Sequence, residues 1–155
     1  GVNKEIEDVT EAIEYGVDIA TAESILHVEL EQEAASKAGK RQKVILRLTS
    51  GNQFGMSETD ILSILANQAK YPNLDIYGIH YYFGTQKKKR QIDKGFEKLD
   101  AVLTRFKEET GFVPRLIEVG RDFLWIISIH HMTKLKKQHC LRIKILFLRL
   151  QQNIH

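Results

Sequence analysis

Asp75-Ile76-Tyr77-Gly78-Ile79-His80-Tyr81-Tyr82-Phe83-Gly84-Thr85-Gln86 is the stretch on which the fold turns. Ile76, Tyr77, Ile79 and Tyr81 form a β-prone apolar run that suits a strand covered on both faces. Gly84 ends the run. Thr85 and Gln86 then place a hydroxyl and an amide at the strand's carboxyl end, just before a helix. In α/β folds that end of the sheet is where ligands bind. Exposed backbone N–H groups and a helix N-terminus suit a phosphate there. The same residues also read as a plain core strand with a capped loop, and both readings stand at this point.

Moving outward, residues 4–15 carry Ile6, Val9, Ala12 and Ile13 on one helical face, and Gly16 ends that helix. Val17 to Ala20 is a short strand. Thr21 or Ser24 caps a helix over about 23–38. Lys43 to Thr49 is a buried strand interrupted by Arg47, followed by the loop Ser50 to Met56. Ser57 with Asp60 resembles a capping box for a helix over about 58–70. Beyond the opening stretch, residues 88–110 form a long amphipathic helix through Ile92, Phe96, Leu99, Val102, Leu103 and Phe106. Arg115 to Val119 is the fourth strand, closed by Gly120. Strict alternation of helix and strand predicts an α/β fold with parallel strands and right-handed crossovers. Four strands make either a small open sheet or part of an eight-stranded barrel.

The chain has 155 residues, enough for one compact domain with an ordinary core. Its single cysteine, Cys140, excludes an internal disulfide and fits a reducing, cytoplasmic setting. No apolar run reaches membrane-span length, and Gly1-Val2-Asn3-Lys4-Glu5 does not read as a signal peptide. Charge is uneven. Residues 121–155 hold seven Lys/Arg against Asp122, a net +6 in a chain of net +3, so residues 1–120 carry −3. Two segments follow: 1–120, and a basic tail over 121–155.

Several landmarks in the first segment resemble the fold-type III pyridoxal-phosphate (PLP) decarboxylases, a family that includes the ornithine, arginine and diaminopimelate decarboxylases. Gly1 and Lys4 resemble its Gly-x-x-Lys turn. VILRL at 44–48, QFGM at 53–56, GIHYYFGTQ at 78–86 and IEVG at 117–120 resemble four further motifs, in order and at matching spacing. The resemblance implies the central part of an alanine-racemase-like (β/α)8 TIM barrel that binds PLP. Carried over by position, Thr85 takes the place of a serine on the cofactor phosphate, and Gly120 that of the first glycine of the phosphate loop. Arg47 takes the place of an arginine near the cofactor, and His80 the first of two aromatic-flanked positions. Tyr82 stands where the family has a histidine that stacks on the pyridine ring; a tyrosine stacks but does not act as an imidazole.

The resemblance also implies what is missing. The Schiff-base lysine lies on a strand preceding residue 1 in this register, and Lys43, Lys87, Lys88 and Lys89 stand at other landmarks. The family's C-terminal domain has no counterpart, and Cys140 sits in no matching motif. The expectation is therefore a piece of an amino-acid decarboxylase without catalytic residues of its own, inactive alone. Substrates of the intact family would be amino acids or carrier-bound aminoacyl groups, and a homodimer is expected. The alternative is a non-catalytic, degenerate relative that pairs with an intact subunit.

After Gly120 the family's glycine loop is not followed. In the alternative reading frame, Trp125-Ile126 and Met132-Thr133 both yield Asp. Permitted codons give Gly-Phe-Leu-Val-Asp-Tyr-Phe-Asn-Ser-Ser-Tyr-Asp-Glu, a credible continuation. Residues 121–155 are thus expected to be out of family register, as from a shifted frame, which the codons of the gene decide. Read as it stands, the tail is a basic amphipathic helix through Leu141, Ile145 and Leu148, suited to an acidic membrane surface or nucleic acid. Neither a nucleic-acid partner nor a membrane span is expected for the chain as a whole. His130, His131 and His139 lack the acidic or cysteine ligands that a metal site needs, so none is expected.

Overall fold

A computed structural model of the chain describes residues 4–82, 89–119 and 124–126. Helix α1 (Ile6–Glu14) leads to strand β1 (Ile19–Ala22), then α2 (Ile25–Lys37), β2 (Gln42–Leu48) and α3 (Glu58–Ala66). A 3₁₀ turn (Gln68–Lys70), β3 (Leu74–Tyr81), α4 (Lys89–Thr110), β4 (Leu116–Glu118) and β5 (Leu124–Ile126) complete it.

The sheet order is β1-β2-β3-β4-β5, with the first four strands parallel. Each new parallel strand adds beside the last, with no reversal. A doubly wound sheet reverses its order at a switch point, whereas a barrel does not. One core joins all four helices to one sheet face, drawing on Val9, Val28, Ile61 and Phe106 from the helices and Leu46 and Ile79 from the strands. Helices on one side of a sequentially ordered parallel sheet are the arrangement of a partial (β/α)8 barrel. The opposite face, the barrel interior of that arrangement, carries Lys43, Ile45 and Arg47 of β2 and, by register, Gly78, His80, Leu116 and Glu118.

Local chemistry sets the boundaries. The Ser24 hydroxyl accepts the His27 N–H at 3.1 Å and caps α2. Ser57 accepts from the Asp60 N–H while the Asp60 carboxylate accepts from the Ser57 N–H, a complete capping box on α3. Gly16, Gly39 and Gly111 follow helices at φ of 81°, 62° and 72°, left-handed geometry that costs glycine least. Helix α3 is shorter than expected. It stops at Ala66, where Asn67 leaves helical geometry (φ −116°, ψ 33°) and donates its side-chain N–H to the Ser63 carbonyl. Pro72 also disfavours helical geometry at Tyr71, so the 3₁₀ turn ends before it.

Two further features depart from expectation. β1 begins two residues later than the expected Val17, which is 42 % exposed. β5 adds an antiparallel fifth strand inside the basic tail, with Glu118 opposite Leu124 and Leu116 opposite Ile126. Leu124-Trp125-Ile126 is a β-prone triplet a short connection away from β4, and pairing satisfies backbone groups that β4 would otherwise leave open. The outer edge of β4 is therefore covered, and among the described residues β1 and β5 form the two edges of the sheet.

Candidate functional site

β2 and β3 carry their polar residues to the carboxyl end of the sheet. Arg47 lies in register with His80, and His80 with Glu118. Glu23, one residue beyond β1, extends the row on the other side: its carboxylate meets the Arg47 guanidinium at 2.8 Å. Both side chains of that pair are about one-sixth exposed, at 17 % and 16 %. One side chain per parallel strand thus makes a transverse row Glu23–Arg47–His80–Glu118.

The loop after β2 completes the hold on Arg47. It folds back so that the Met56 N–H donates to the Arg47 carbonyl at 2.8 Å and the Thr49 N–H to the Met56 carbonyl at 2.9 Å. Gly55 makes the approach possible. It has a φ of 84°, and a Cβ there would stand 2.9 Å from the Arg47 carbonyl oxygen. The fold-back sets the Phe54 ring under the guanidinium, 5.1 Å from its centroid, a cation–π contact.

His80 is half-buried, and its Nδ1 is enclosed without a hydrogen-bond partner. Burial pushes its pKa down; the Glu118 carboxylate pulls it up, Arg47 pushes it down, and Glu23 pulls it up. The net effect is downward, so the ring is neutral at pH 7. His27, on the buried face of α2, is also lowered, first by burial and then by Lys4. The stability consequence has a definite sign. Both histidines titrate lower in the folded chain, so the unfolded chain binds more protons below about pH 6.5. Stability is therefore fully present above that pH and is lost as pH falls through the folded values. Urea midpoints measured between pH 7 and pH 5 are expected to drop on acidification.

Arg47 and His80 are thus brought together in register at the carboxyl end of the sheet. Tyr82 follows β3 directly, half-buried, at the same end of the sheet. Thr85 and Gly120, the expected phosphate contacts, lie outside the described residues, as do Lys87, Lys88 and the tail histidines His130, His131 and His139. Glu23, Phe54 and Glu118 were not among the expected site residues. Glu118 did leave a trace: it is the acid in an otherwise apolar strand, Leu116–Glu118. Lys43 stands at the opposite, amino end of β2. Its ammonium meets Asp18 at 2.9 Å, with the Tyr77 ring centroid 5.3 Å away. Arg115 packs on the same ring at 4.4 Å and pairs with Asp75. These charges tie strand to strand at the end away from the row. Among the described residues, no lysine belongs to the Glu23–Arg47–His80–Glu118 row, no group of three or more acidic, histidine or cysteine side chains is placed to hold a metal, and no helix is long and apolar enough to cross a membrane.

A sequentially ordered parallel sheet, with helices on one face and a cationic and imidazole row at its carboxyl end, defines part of a (β/α)-barrel domain. The chain belongs to the family of the alanine racemase N-terminal domain, whose model matches residues 1–121. It is 31% identical over 101 residues to the diaminopimelate decarboxylase of Zymomonas mobilis, covering 56% of this chain and 24% of that protein. The Neisseria meningitidis diaminopimelate decarboxylase is 30% identical over 101 residues, with 56% and 25% covered. The match therefore spans about a quarter of these relatives' length. Among solved structures, diaminopimelate decarboxylase from Helicobacter pylori, complexed with L-lysine, superposes with a TM-score of 0.66 at 17% identity, over 83% of this chain and 38% of that one. PipY of Synechococcus elongatus, with PLP bound, gives 0.65 at 13% identity, over 74% and 55%. At such identities these two show the fold.

Proposed function

We propose that this chain forms the cofactor-facing part of the barrel of a PLP-dependent amino-acid decarboxylase, and that it has no catalytic activity alone. The observation that carries the reading is Arg47, fixed by Glu23 and Phe54, beside the unpartnered, enclosed Nδ1 of His80 at the carboxyl end of the sheet. An unsatisfied buried ring nitrogen costs roughly 1–3 kcal/mol and is a natural place for a ligand atom. The donor set fits PLP: a guanidinium suits an anionic group, a neutral imidazole makes a ring contact or one hydrogen bond, and Tyr82 offers an aromatic face. Thr85 and Gly120 would hold the phosphate. Bound PLP supplies an electron sink for the charge left when a carboxylate departs as carbon dioxide. The residues of this chain bind and orient. Arg47 neutralises anionic charge, His80 and Tyr82 flank the ring, and Glu23 keeps the guanidinium in place.

Inactivity alone is supported by the absence, among the described residues, of a lysine from the Glu23–Arg47–His80–Glu118 row. Lys4 is engaged with Glu31 and Thr21, Lys37 with Glu33, Lys40 with the end of α1, and Lys43 with Asp18. A second reading, a non-catalytic relative that pairs with an intact subunit, draws on the free edge of β1. One experiment separates the two. PLP added to the purified chain is expected to bind saturably in competition with inorganic phosphate. After borohydride reduction and peptide mapping, no single lysine is expected to carry the label. One defined labelled lysine overturns the inactivity. Absence of saturable binding overturns the cofactor site and leaves the pairing reading.

A further inference from the structure

We propose that Glu118 is a positioning residue that acts through His80, its carboxylate favouring proton uptake by the neighbouring imidazole when an anionic group reaches Arg47. The proposal deepens the cofactor reading by giving the site a proton-linked response, and it rests on that reading only for the identity of the anion.

The geometry assigns the roles. Of the four groups in the row, Glu23 and Arg47 satisfy each other at 2.8 Å. The other two are neighbours in register across β3 and β4. His80 Nδ1 is enclosed and unpartnered, and the Glu118 carboxylate makes no hydrogen bond or ion pair with another described residue. The charged groups facing His80 are Glu23 from the β1 end, Arg47 from β2 and Glu118 from β4; the helices pack on the other face of the sheet. Burial and Arg47 disfavour the imidazolium, while Glu118 is the leading group that favours it. Adjacent strands stand about 5 Å apart, close enough for a carboxylate and an imidazole to interact strongly in a partly enclosed site. An anion at Arg47 cancels the opposing positive charge. That leaves burial alone to oppose Glu118 and Glu23, so the ring holds a proton more readily than it does beside an uncompensated Arg47.

The test uses the full chain without ligand, so its outcome is independent of whether PLP binds. The His80 ring resonances are titrated by NMR in wild type and in Glu118→Gln, Arg47→Met and Glu118→Asp. Glu118→Gln is expected to lower the proton affinity of His80 about tenfold, the size of removing one nearby opposite charge. Arg47→Met is expected to raise it, and Glu118→Asp to restore it to near the wild-type value. A role in sheet packing alone would lower the melting temperature of Glu118→Gln and leave the His80 titration where it was. That result, in folded protein, overturns the proposal. Should Glu118→Gln not fold, the wild-type Glu118 carboxyl carbon decides: a second inflection at the His80 midpoint supports the pairing, and a single carboxylate titration refutes it.

Discussion

Replacing Lys4 with methionine is expected to destabilise the chain by about 3 kcal/mol, much of what a domain of this size has. The Lys4 ammonium donates to the Glu31 carboxylate at 2.8 Å and to the Thr21 carbonyl at 2.7 Å. It thus ties the segment before α1 to both α2 and β1. The Glu31 side chain is 3 % exposed, against 17 % for Lys4. Removing the lysine leaves a carboxylate buried without its counter-charge. The alternatives are to protonate it, to admit water, or to unfold, and each costs free energy. The partial exposure of Lys4 places the estimate at the lower end of the range for such pairs. Urea denaturation followed by circular dichroism measures the loss. The double variant Lys4→Met with Glu31→Met is expected to recover most of it, because two apolar side chains in a packed interior are often as stable as the ion pair they replace. A single variant near wild-type stability would mean that Glu31 finds another donor or reaches water. Lys4 was read in the sequence as a family landmark, and the structure gives that landmark a physical task.

The parts of this chain that the sequence disclosed are those set by local chemistry. The Ser57–Asp60 box, the Ser24 cap and the glycines after α1 and α2 act within a few residues, so their signals are in adjacent letters. Arg47 and His80 were also legible, because each interrupts an apolar run at a motif. Glu23 and Glu118 were not, because their partnership depends on strand register. β3 carries one extra residue: Val44 stands opposite Ile76, and Ile45 opposite Gly78. Tyr77 is left unopposed, and the alternation changes phase there. Leu74 and Ile76 before it, and Ile79 and Tyr81 after it, all join the helix-side core. Simple alternation would have put Ile76 and Ile79 on opposite faces and misassigned the face of His80. β5 escaped for a related reason. Its pairing with β4 is a non-local choice that three apolar letters do not specify.

Gly78→Ala is expected to cost at least about 3 kcal/mol, beyond what most single methyl additions do. Gly78 follows the unopposed Tyr77 and pairs with Leu116. A Cβ at this position would overlap the Leu116 carbonyl oxygen, with the carbonyl carbon at 2.8 Å and the Leu116 Cβ at 3.0 Å. These are chiefly backbone atoms, so no rotamer change relieves the clash, and β3 and β4 must move apart. The ladder that suffers is short: β4 meets β3 at three positions, of which Gly78 opposite Leu116 is the first and His80 opposite Glu118 the last. Separation at the first position therefore reaches the candidate site. Hydrogen exchange distinguishes this account from general destabilisation. Amides along β4 are expected to lose protection in Gly78→Ala while those shared by β1 and β2 keep theirs. Equal loss in both places would mean that the close approach at Gly78 is not what holds β4 in the sheet. A small urea shift with unchanged exchange would mean that the strands accommodate the methyl. If β4 alone is released, the His80 titration should move in the direction expected of Glu118→Gln, since the carboxylate leaves its neighbour when the strand does.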